Sequence, residues 1–243
     1  MYSKSALQVI FVGAHPDDIE VGAGGTVAKL VQNGVRVYFV IMSQDSETAL
    51  AQRRQGEALT AARFLGVSHE DVIFMGLTDG DIRCDGGVVA HFRMELLRRA
   101  IEPDAVFTHT IHDCHQDHRE TLSVVLAAFR KKTIFSFPVA NSLIVSHFVP
   151  TVFSAIDYLG EIKEKALSAH ESQNSRGRLD WGAYSALEAA FGARSNCRRA
   201  EGFEVTRQFG ASNCSDVHRF LESGNTNCLT PEARGGGHEP PER

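Results

Sequence analysis

The sequence predicts an α/β fold, with a Rossmann-like open, mostly parallel sheet and helices on both faces. Short apolar runs alternate with segments of helical periodicity as far as residue 130. Several of these runs are apolar without alternation, which is typical of strands that are buried on both faces. Alternating strands and helices are in turn the signature of a parallel sheet whose crossover helices cover it.

The first strand is predicted at 8–13, an apolar run that ends in glycine. A helix follows at 22–32 and is stopped by an Asn-Gly pair. A strand rich in β-branched residues is predicted at 35–42. The helix predicted at 50–65 carries alanine and leucine on one side and has a glycine just past its end, where helices commonly stop.

The alternation continues with a strand at 71–75, a helix at 88–101, a strand at 104–109 and a helix at 119–130. The pattern loosens after residue 132. The remaining predicted elements are strands at 133–135, 143–148 and 203–207, and helices at 162–169 and 181–191. We expect one domain over residues 1–209 and a mobile C-terminal tail over 210–243, because the composition there shifts towards glycine, proline and charge.

Composition narrows the class of protein. The chain has 243 residues, of which 43% are hydrophobic, enough for a sizeable core. The net charge is −5, so the chain has no excess of basic residues with which to bind the phosphate backbone of a nucleic acid. No apolar run reaches the roughly 18 residues of a membrane helix, and the N-terminus lacks a signal peptide's apolar core, so we expect a cytoplasmic protein. Five scattered cysteines, never in a C-x-x-C pair, predict neither a disulfide framework nor a cysteine metal cluster.

Two polar clusters follow two of the predicted strands. His15-Pro16-Asp17-Asp18 comes after the first strand, and the segment 112–118, with three histidines, comes after the fourth. Open α/β sheets bind ligands beyond the carboxyl ends of their strands, where the strand order reverses. In the common order 3-2-1-4 the first and fourth strands are neighbours. The two clusters are therefore expected to face each other across one crevice.

The first cluster suits a catalytic zinc site, which takes three protein ligands and leaves one position open for water. His15 and Asp18 are three residues apart at a strand-to-helix turn, so both side chains can reach one point. Adjacent side chains diverge, so Asp17 and Asp18 are not expected to ligate the same ion. One carboxylate would bind the metal and the other would act as general base beside the water.

The second cluster offers complementary groups. His115 and His118 are also three residues apart, so one can complete the metal site. The other can stabilise an oxyanion or protonate a leaving group. Asp117 is a candidate to fix the tautomer of one histidine. Taken alone, each cluster has a simpler explanation. The first could be a turn that caps a helix, and the second could be a solvated loop.

Three alternative functions could also use parts of this sequence. The segment Gly22-Ala23-Gly24-Gly25 suggests a nucleotide-binding module. The dinucleotide-binding motif, however, needs Gly or Ala at position 27, where this chain has valine. The glycines of that motif also lie in the turn directly after the strand, whereas these begin well beyond it. A metal-dependent phosphoesterase could use the same ligands, commonly with two metal ions. A non-catalytic sugar-binding protein would have no need for a base beside the metal.

The two clusters resemble motifs of the LmbE-like (PIG-L) family of zinc-dependent N-acetylglucosaminyl deacetylases. The first motif includes the glycines at 22, 24 and 25, and the second is His115-Gln116-Asp117-His118-Arg119. Weaker similarities extend the resemblance over about residues 8 to 209. They lie at Arg54-Gln55-Gly56-Glu57-Ala58, Leu65-Gly66-Val67, Lys165-Ala166-Leu167, His170-Glu171-Ser172-Gln173 and Ala200-Glu201-Gly202-Phe203.

The resemblance implies a zinc-dependent N-deacetylase that removes an acetyl or similar acyl group from an amino sugar or its conjugate. It implies that His15, Asp18 and His118 bind Zn²⁺. It further implies that Asp17 is the general base and that protonated His115 stabilises the tetrahedral intermediate. The expected partner is a small amino-sugar substrate, and neither nucleic acid nor a membrane is expected to bind. Members of the family often form oligomers, so a homo-oligomer is possible for this chain as well.

The resemblance also implies a substrate-binding role for Arg54, next to the similar Arg53. The chain departs from the family pattern where Ile19 separates the paired aspartates from Glu20. Gln116 stands where proline is common, and Asp113 where some relatives carry tyrosine. These departures leave the exact substrate and acyl group undetermined.

Overall fold

A computed structural model describes residues 7–45, 47–140 and 147–209, together with Val217, Arg219 and Leu221. Within these residues the strands are β1 (Gln8–Gly13), β2 (Arg36–Gln44), β3 (Val72–Thr78), β4 (Ala105–His109), β5 (Thr133–Phe137), β6 (Val152–Ala155) and β7 (Ala200–Arg207). The helices are α1 (Asp18–Gln32), α2 (Thr48–Phe64), α3 (Gly86–Arg98), α4 (Gln116–Ala128), α5 (Gly160–Ser168), α6 (Glu171–Asn174) and α7 (Trp181–Ser195).

The strands form one mixed sheet in the order β3-β2-β1-β4-β5-β7-β6. Strands β1 to β5 pair in parallel, whereas β7 is antiparallel to both of its neighbours. The predicted α/β class, the mostly parallel sheet and the order of the first four strands are confirmed. The strand order reverses between β1 and β4, so the two polar clusters leave the sheet at adjacent strand ends.

The core lies on both faces of the sheet. Successive side chains of β1 alternate between two apolar clusters, with Phe11 in the first and Ile10 and Val12 in the second. Helices α1, α2 and α5 cover the first face, and α3 and α4 cover the second. Phe11 stacks on Phe107 of β4 with ring centroids 4.5 Å apart. Burial on both faces explains why β1 has no polar alternation.

Several elements differ from the sequence-based expectation. Helix α1 begins at Asp18 rather than at residue 22, so the four-residue glycine segment lies inside a helix and not in a phosphate-binding turn. The strand expected at 143–148 falls largely on 141–146, outside the described residues, and 147–148 are not in a strand. The unpredicted β6 forms instead at 152–155, where it pairs with β7 at the sheet edge. Its sequence, Val-Phe-Ser-Ala, lacks the alternation of apolar and polar residues that marks a half-buried strand.

The segment after residue 209 is described at three positions. Val217 and Leu221 are buried in the first apolar cluster. The Nζ atom of Lys29 on α1 donates a hydrogen bond to the carbonyl of Leu221 at 2.8 Å. The rest of 210–243 lies outside the described residues, so the domain boundary at 209 and the mobile tail remain predictions. No helix in the described part of the chain has the length and apolar character needed to cross a membrane.

Candidate metal centre and active site

The two polar clusters line one cavity of about 450 Å³ at the carboxyl ends of β1 and β4. The first cluster enters it from the β1–α1 turn and the second from the start of α4, as the strand order requires. Helix α2 and the segment around α6 supply the opposite wall. The lining residues are His15, Asp17, Asp18, Arg54, Asp79, His115, His118, Val139, Gln173, Gly177, Arg178 and Asp180.

His15, Asp18 and His118 converge at the floor of this cavity. Each offers one ligand atom, and the three atoms lie within 4.8 Å of one another. His15 Nδ1 is 3.2 Å from Asp18 Oδ2 and 3.2 Å from His118 Nε2. His118 Nε2 is also 3.4 Å from Asp18 Oδ1. All three side chains are buried, so the residues expected to bind the metal meet at one point.

Carboxylates on the far sides of both rings orient the two histidines. His118 Nδ1 is 2.7 Å from Asp113 Oδ2, and His15 Nε2 is 3.3 Å from both Asp117 Oδ2 and Asp79 Oδ1. An ionised carboxylate only accepts hydrogen bonds, so the ring nitrogens that face it carry the protons. The opposite nitrogens, His15 Nδ1 and His118 Nε2, face each other and the Asp18 carboxylate.

Two histidine nitrogens and a carboxylate oxygen that converge in this way match the ligand set of a divalent cation. The carboxylate–histidine pairs behind them are typical of metal sites. The charges agree with this arrangement. Although burial acts to lower the pKa of His118, the carboxylates of Asp18 and Asp113 outweigh it and raise that pKa to about 9. The surroundings therefore stabilise positive charge at this point, and the residues present fit a metal ion.

Asp17 lies beside this cluster without belonging to it. It is the N-cap residue of α1, yet its side chain makes no capping hydrogen bond to the helix. Burial and the adjacent Asp18 carboxylate raise the pKa of Asp17, and this rise is opposed by the positive charges of His170, Arg54 and His15. A half-buried carboxylate with a raised pKa is suited to accept a proton near neutral pH.

His115 is the N-cap residue of α4 and is held in one tautomer. Its Nδ1 accepts the backbone N–H of Asp117 at 3.2 Å. Burial and the positive charges of His118 and His15 lower the pKa of His115. The lowered pKa and the accepting Nδ1 favour the neutral imidazole with its proton on Nε2. The helix N-terminus and the neighbouring positive charges thus act against the protonated His115 that the resemblance implies.

Asp117 connects the metal cluster to the loop after β3. It is fully buried and accepts the backbone N–H groups of Gly80 and Ile82 at 2.7 and 3.3 Å. Its Oδ2 also faces His15 Nε2. The histidine that Asp117 contacts is thus His15. Asp79 precedes Gly80 in what the sequence alone marks as an ordinary Asp-Gly turn. This loop brings its carboxylate to the His15 ring.

Two buried residues of the site carried no functional assignment from the sequence. Asp113 holds His118, and its other oxygen accepts the N–H of His115 at 2.8 Å. The only feature of the sequence that pointed to this role of Asp113 was its position five residues before His118. His109 stacks on His118 with ring centroids 4.0 Å apart, and its Nε2 accepts the N–H of Ala14 at 2.8 Å. Burial and the charge of His118 lower the pKa of His109 to about 4, so it packs as a neutral ring.

Arg54 lies in the cavity wall rather than on a solvated helix face. With the Gln173 amide turned so that its oxygen faces the guanidinium, that oxygen accepts from Arg54 Nε and Nη2 at 2.9 and 3.0 Å. Arg54 Nη1 donates to Asp79 Oδ2 at 3.4 Å. Arg53 points outward and pairs with Glu57 at 2.9 Å. Of the two adjacent arginines, Arg54 is the one that lines this cavity.

Fold and site together define an α/β protein with a buried His/Asp cluster that can hold a metal ion at its topological switch point. A family model described as PIG-L, GlcNAc-PI de-N-acetylase, matches residues 10–129. The chain belongs to this LmbE-like (PIG-L) deacetylase family. The matched region contains both polar clusters and the strands that carry them.

Similar proteins agree with this assignment. A diacetylchitobiose deacetylase from Thermococcus kodakarensis is 27% identical, over 87% of each chain. The uncharacterized deacetylase YaiS from Escherichia coli is 27% identical, over 68% of this chain and 90% of its own. The solved structure of GalB, a 4-carboxy-2-hydroxymuconate hydratase from Pseudomonas putida, has a TM-score of 0.71 at 20% identity over 85% and 98% of the two chains. The fold alone therefore does not determine the reaction, and the site must.

Proposed function

We propose that this protein is a zinc-dependent hydrolase that removes an N-acetyl or similar N-acyl group from an amino sugar or an amino-sugar conjugate. The observation that carries the proposal is the convergence of two histidine ring nitrogens and the Asp18 carboxylate, with Asp17 beside them and free of any capping role. The family description and the diacetylchitobiose-specific relative support the N-acetyl sugar as substrate class.

His15, Asp18 and His118 would hold the zinc ion. When bound, zinc lowers the pKa of water to about 7 and polarises a carbonyl group. Asp17 accepts the proton of the attacking water, because its raised pKa keeps it basic near neutral pH. The same carboxyl group then returns that proton to the departing amine.

His115 stabilises the negative charge that develops on the carbonyl oxygen. Its Nδ1 is occupied by the backbone N–H of Asp117, so the Nε2–H is the group that it presents to the cavity. A neutral, fixed donor strengthens as charge develops on its acceptor and needs no reorganisation. His115 therefore acts as a hydrogen-bond donor, and proton transfer falls to Asp17.

The shape and lining of the cavity suit a hydroxylated ligand. Its volume of about 450 Å³ falls within the usual range for small-molecule sites. Arg54, Asp79 and Asp180 present donors and acceptors around it, which match sugar hydroxyl groups better than an apolar ligand. The proposal includes a cytoplasmic location and a small-molecule partner, without nucleic acid or membrane.

Metal content and amine release test the proposal together. Purified protein should contain about one zinc ion per chain by mass spectrometry, and His118→Ala should lose it. The zinc-loaded protein should release amine from N,N′-diacetylchitobiose or an N-acetylglucosamine conjugate. Two ions per chain with phosphoester cleavage would favour the phosphoesterase alternative, and zinc binding without any hydrolysis would favour a sugar-binding protein.

A further inference from the structure

A buried ion pair lies behind the active-site helix, outside the cavity. Lys163 of α5 and Glu201 of β7 are both buried, and Lys163 Nζ is 2.7 Å from Glu201 Oε1. Glu188 of α7 lies 2.8 Å from the same Nζ. Glu201 belongs to one of the segments that resemble the family, and the proposed reaction gives it no role. A buried pair of this kind contributes little net stability, so its other contacts are informative.

These side chains bond the backbone of α1 in the middle of the helix. In a regular helix the carbonyl of Val21 accepts the N–H of Gly25. Here the Val21 carbonyl accepts from Lys163 Nζ at 2.8 Å, and the Gly25 N–H donates to Glu201 Oε1 at 2.9 Å. The N–H of Thr26 donates to Glu201 Oε2 at 2.7 Å. The ion pair therefore bonds both an acceptor and a donor of the same helical turn of α1.

The glycines explain why α1 needs this support. A Cβ at Gly22 would overlap the ring of Phe137, and one at Gly25 would meet Ile156 at 2.6 Å. Close packing against β5 and the β6–α5 connection thus requires glycine, which weakens a helix. The first turn, with Asp17 and Asp18 at its start, lies on the far side of this weak point from the rest of α1.

We propose that Lys163 and Glu201 are positioning residues that fix the first turn of α1, and with it Asp17 and Asp18, against His118. The inference rests on the proposed function for the roles of the two aspartates. The ligand atoms of Asp18 and His118 lie 3.4 Å apart, so a small shift of the first turn separates them. An error of about 1 Å in such a site lowers the rate by as much as about 100-fold.

Arg199 provides a matched control from the same network. Its guanidinium donates to Glu188 Oε2 at 2.9 and 2.6 Å and to Glu164 Oε1 at 2.9 Å. These bonds connect α5 and α7 to the residue before β7, and none of them goes to α1. Arg199→Gln therefore weakens the packing of the network without releasing the α1 backbone. A merely structural role of the ion pair predicts similar behaviour for all the variants.

The experiment compares Lys163→Met, Glu201→Gln and Arg199→Gln in the full chain. We would measure zinc affinity by competition with a chelating dye, kcat and KM for amine release at saturating zinc, and Tm. Lys163→Met and Glu201→Gln should bind zinc about tenfold more weakly and lose about tenfold in kcat, with KM nearly unchanged. Arg199→Gln should keep both values and lower only Tm.

Wild-type zinc affinity and kcat in Glu201→Gln, or equal losses in Arg199→Gln, would overturn the positioning role. Glu201→Gln keeps the side-chain length and one acceptor, so it carries the test if Lys163→Met does not fold. The zinc measurement needs no substrate. A wild-type protein that binds no zinc refutes the proposed function itself, whereas normal zinc binding by every variant refutes the positioning role alone.

Discussion

Asp113→Ala removes the carboxylate that orients His118 from behind. The Asp113 Oδ2–His118 Nδ1 distance is 2.7 Å and both side chains are buried, so the bond is charge-assisted and shielded from water. Such a bond contributes about 1.5–3 kcal/mol. Since about 1.4 kcal/mol corresponds to a factor of ten, the zinc Kd should rise by about 10–100-fold.

Asp113→Asn separates charge from geometry. Its amide oxygen can still accept from His118 Nδ1, and a neutral hydrogen bond contributes about 0.5–1.5 kcal/mol. The zinc Kd of this variant should therefore rise by less than that of Asp113→Ala, about five- to tenfold. Asp81→Asn is the control, since its side chain is half exposed and pairs with Arg83.

The assay is chelator competition on the metal-free protein, at a pH where His118 is not titrating, with circular dichroism to show that each variant is folded. The refuting result is a folded Asp113→Ala that binds zinc as tightly as the wild type and Asp81→Asn. That outcome would mean that the Asp113 carboxylate does not orient a metal ligand.

Three further predictions concern the helix that carries the paired aspartates. Asp17→Asn should keep zinc and lose about 100- to 10,000-fold in kcat, and a zinc-loaded variant with full activity would contradict its role as base. The positive charge of His170 lowers the pKa of Asp17, and the reaction needs Asp17 ionised. His170→Gln should therefore move the acidic limb of the kcat/KM profile to higher pH; an unmoved limb would rule out this coupling. Gly22→Ala should destabilise the fold by about 1–3 kcal/mol in urea unfolding, because its Cβ overlaps Phe137. Exposed Gly56 of α2 has open space around it, so Gly56→Ala should instead stabilise by about 0.5–1 kcal/mol; equal effects would refute the packing argument.

The order of the first four strands was predictable because it depends on local signals. Each strand and helix up to α4 has its own periodicity, and right-handed crossovers leave few ways to connect them. Strands β6 and β7 were harder, because β7 returns antiparallel between β5 and β6 and brings together residues far apart in the chain. Their placement depends on long-range pairing, which no local pattern encodes.

The candidate site divides in the same way. The spacing within the two polar clusters and their places after neighbouring strands were sufficient to bring the clusters to one edge of the sheet. The family resemblance then selected His15, Asp18 and His118 among their residues. Tertiary structure was needed to identify Asp113 as the partner of His118 and to direct Arg54, rather than Arg53, into the cavity. These assignments depend on which side chains face each other across loops.

The sequence by itself determined the class of fold, the location of the site and the types of residue available for its chemistry. Only the tertiary structure decided the charges around these residues and the support behind them. Burial and the positive charges of His118 and His15 lower the pKa of His115, and its Nδ1 caps a helix. The first turn of α1 is anchored by Lys163 and Glu201, which follow it by more than 140 residues. Hydrogen bonds and charges act through space, so they become determined only when the chain has folded.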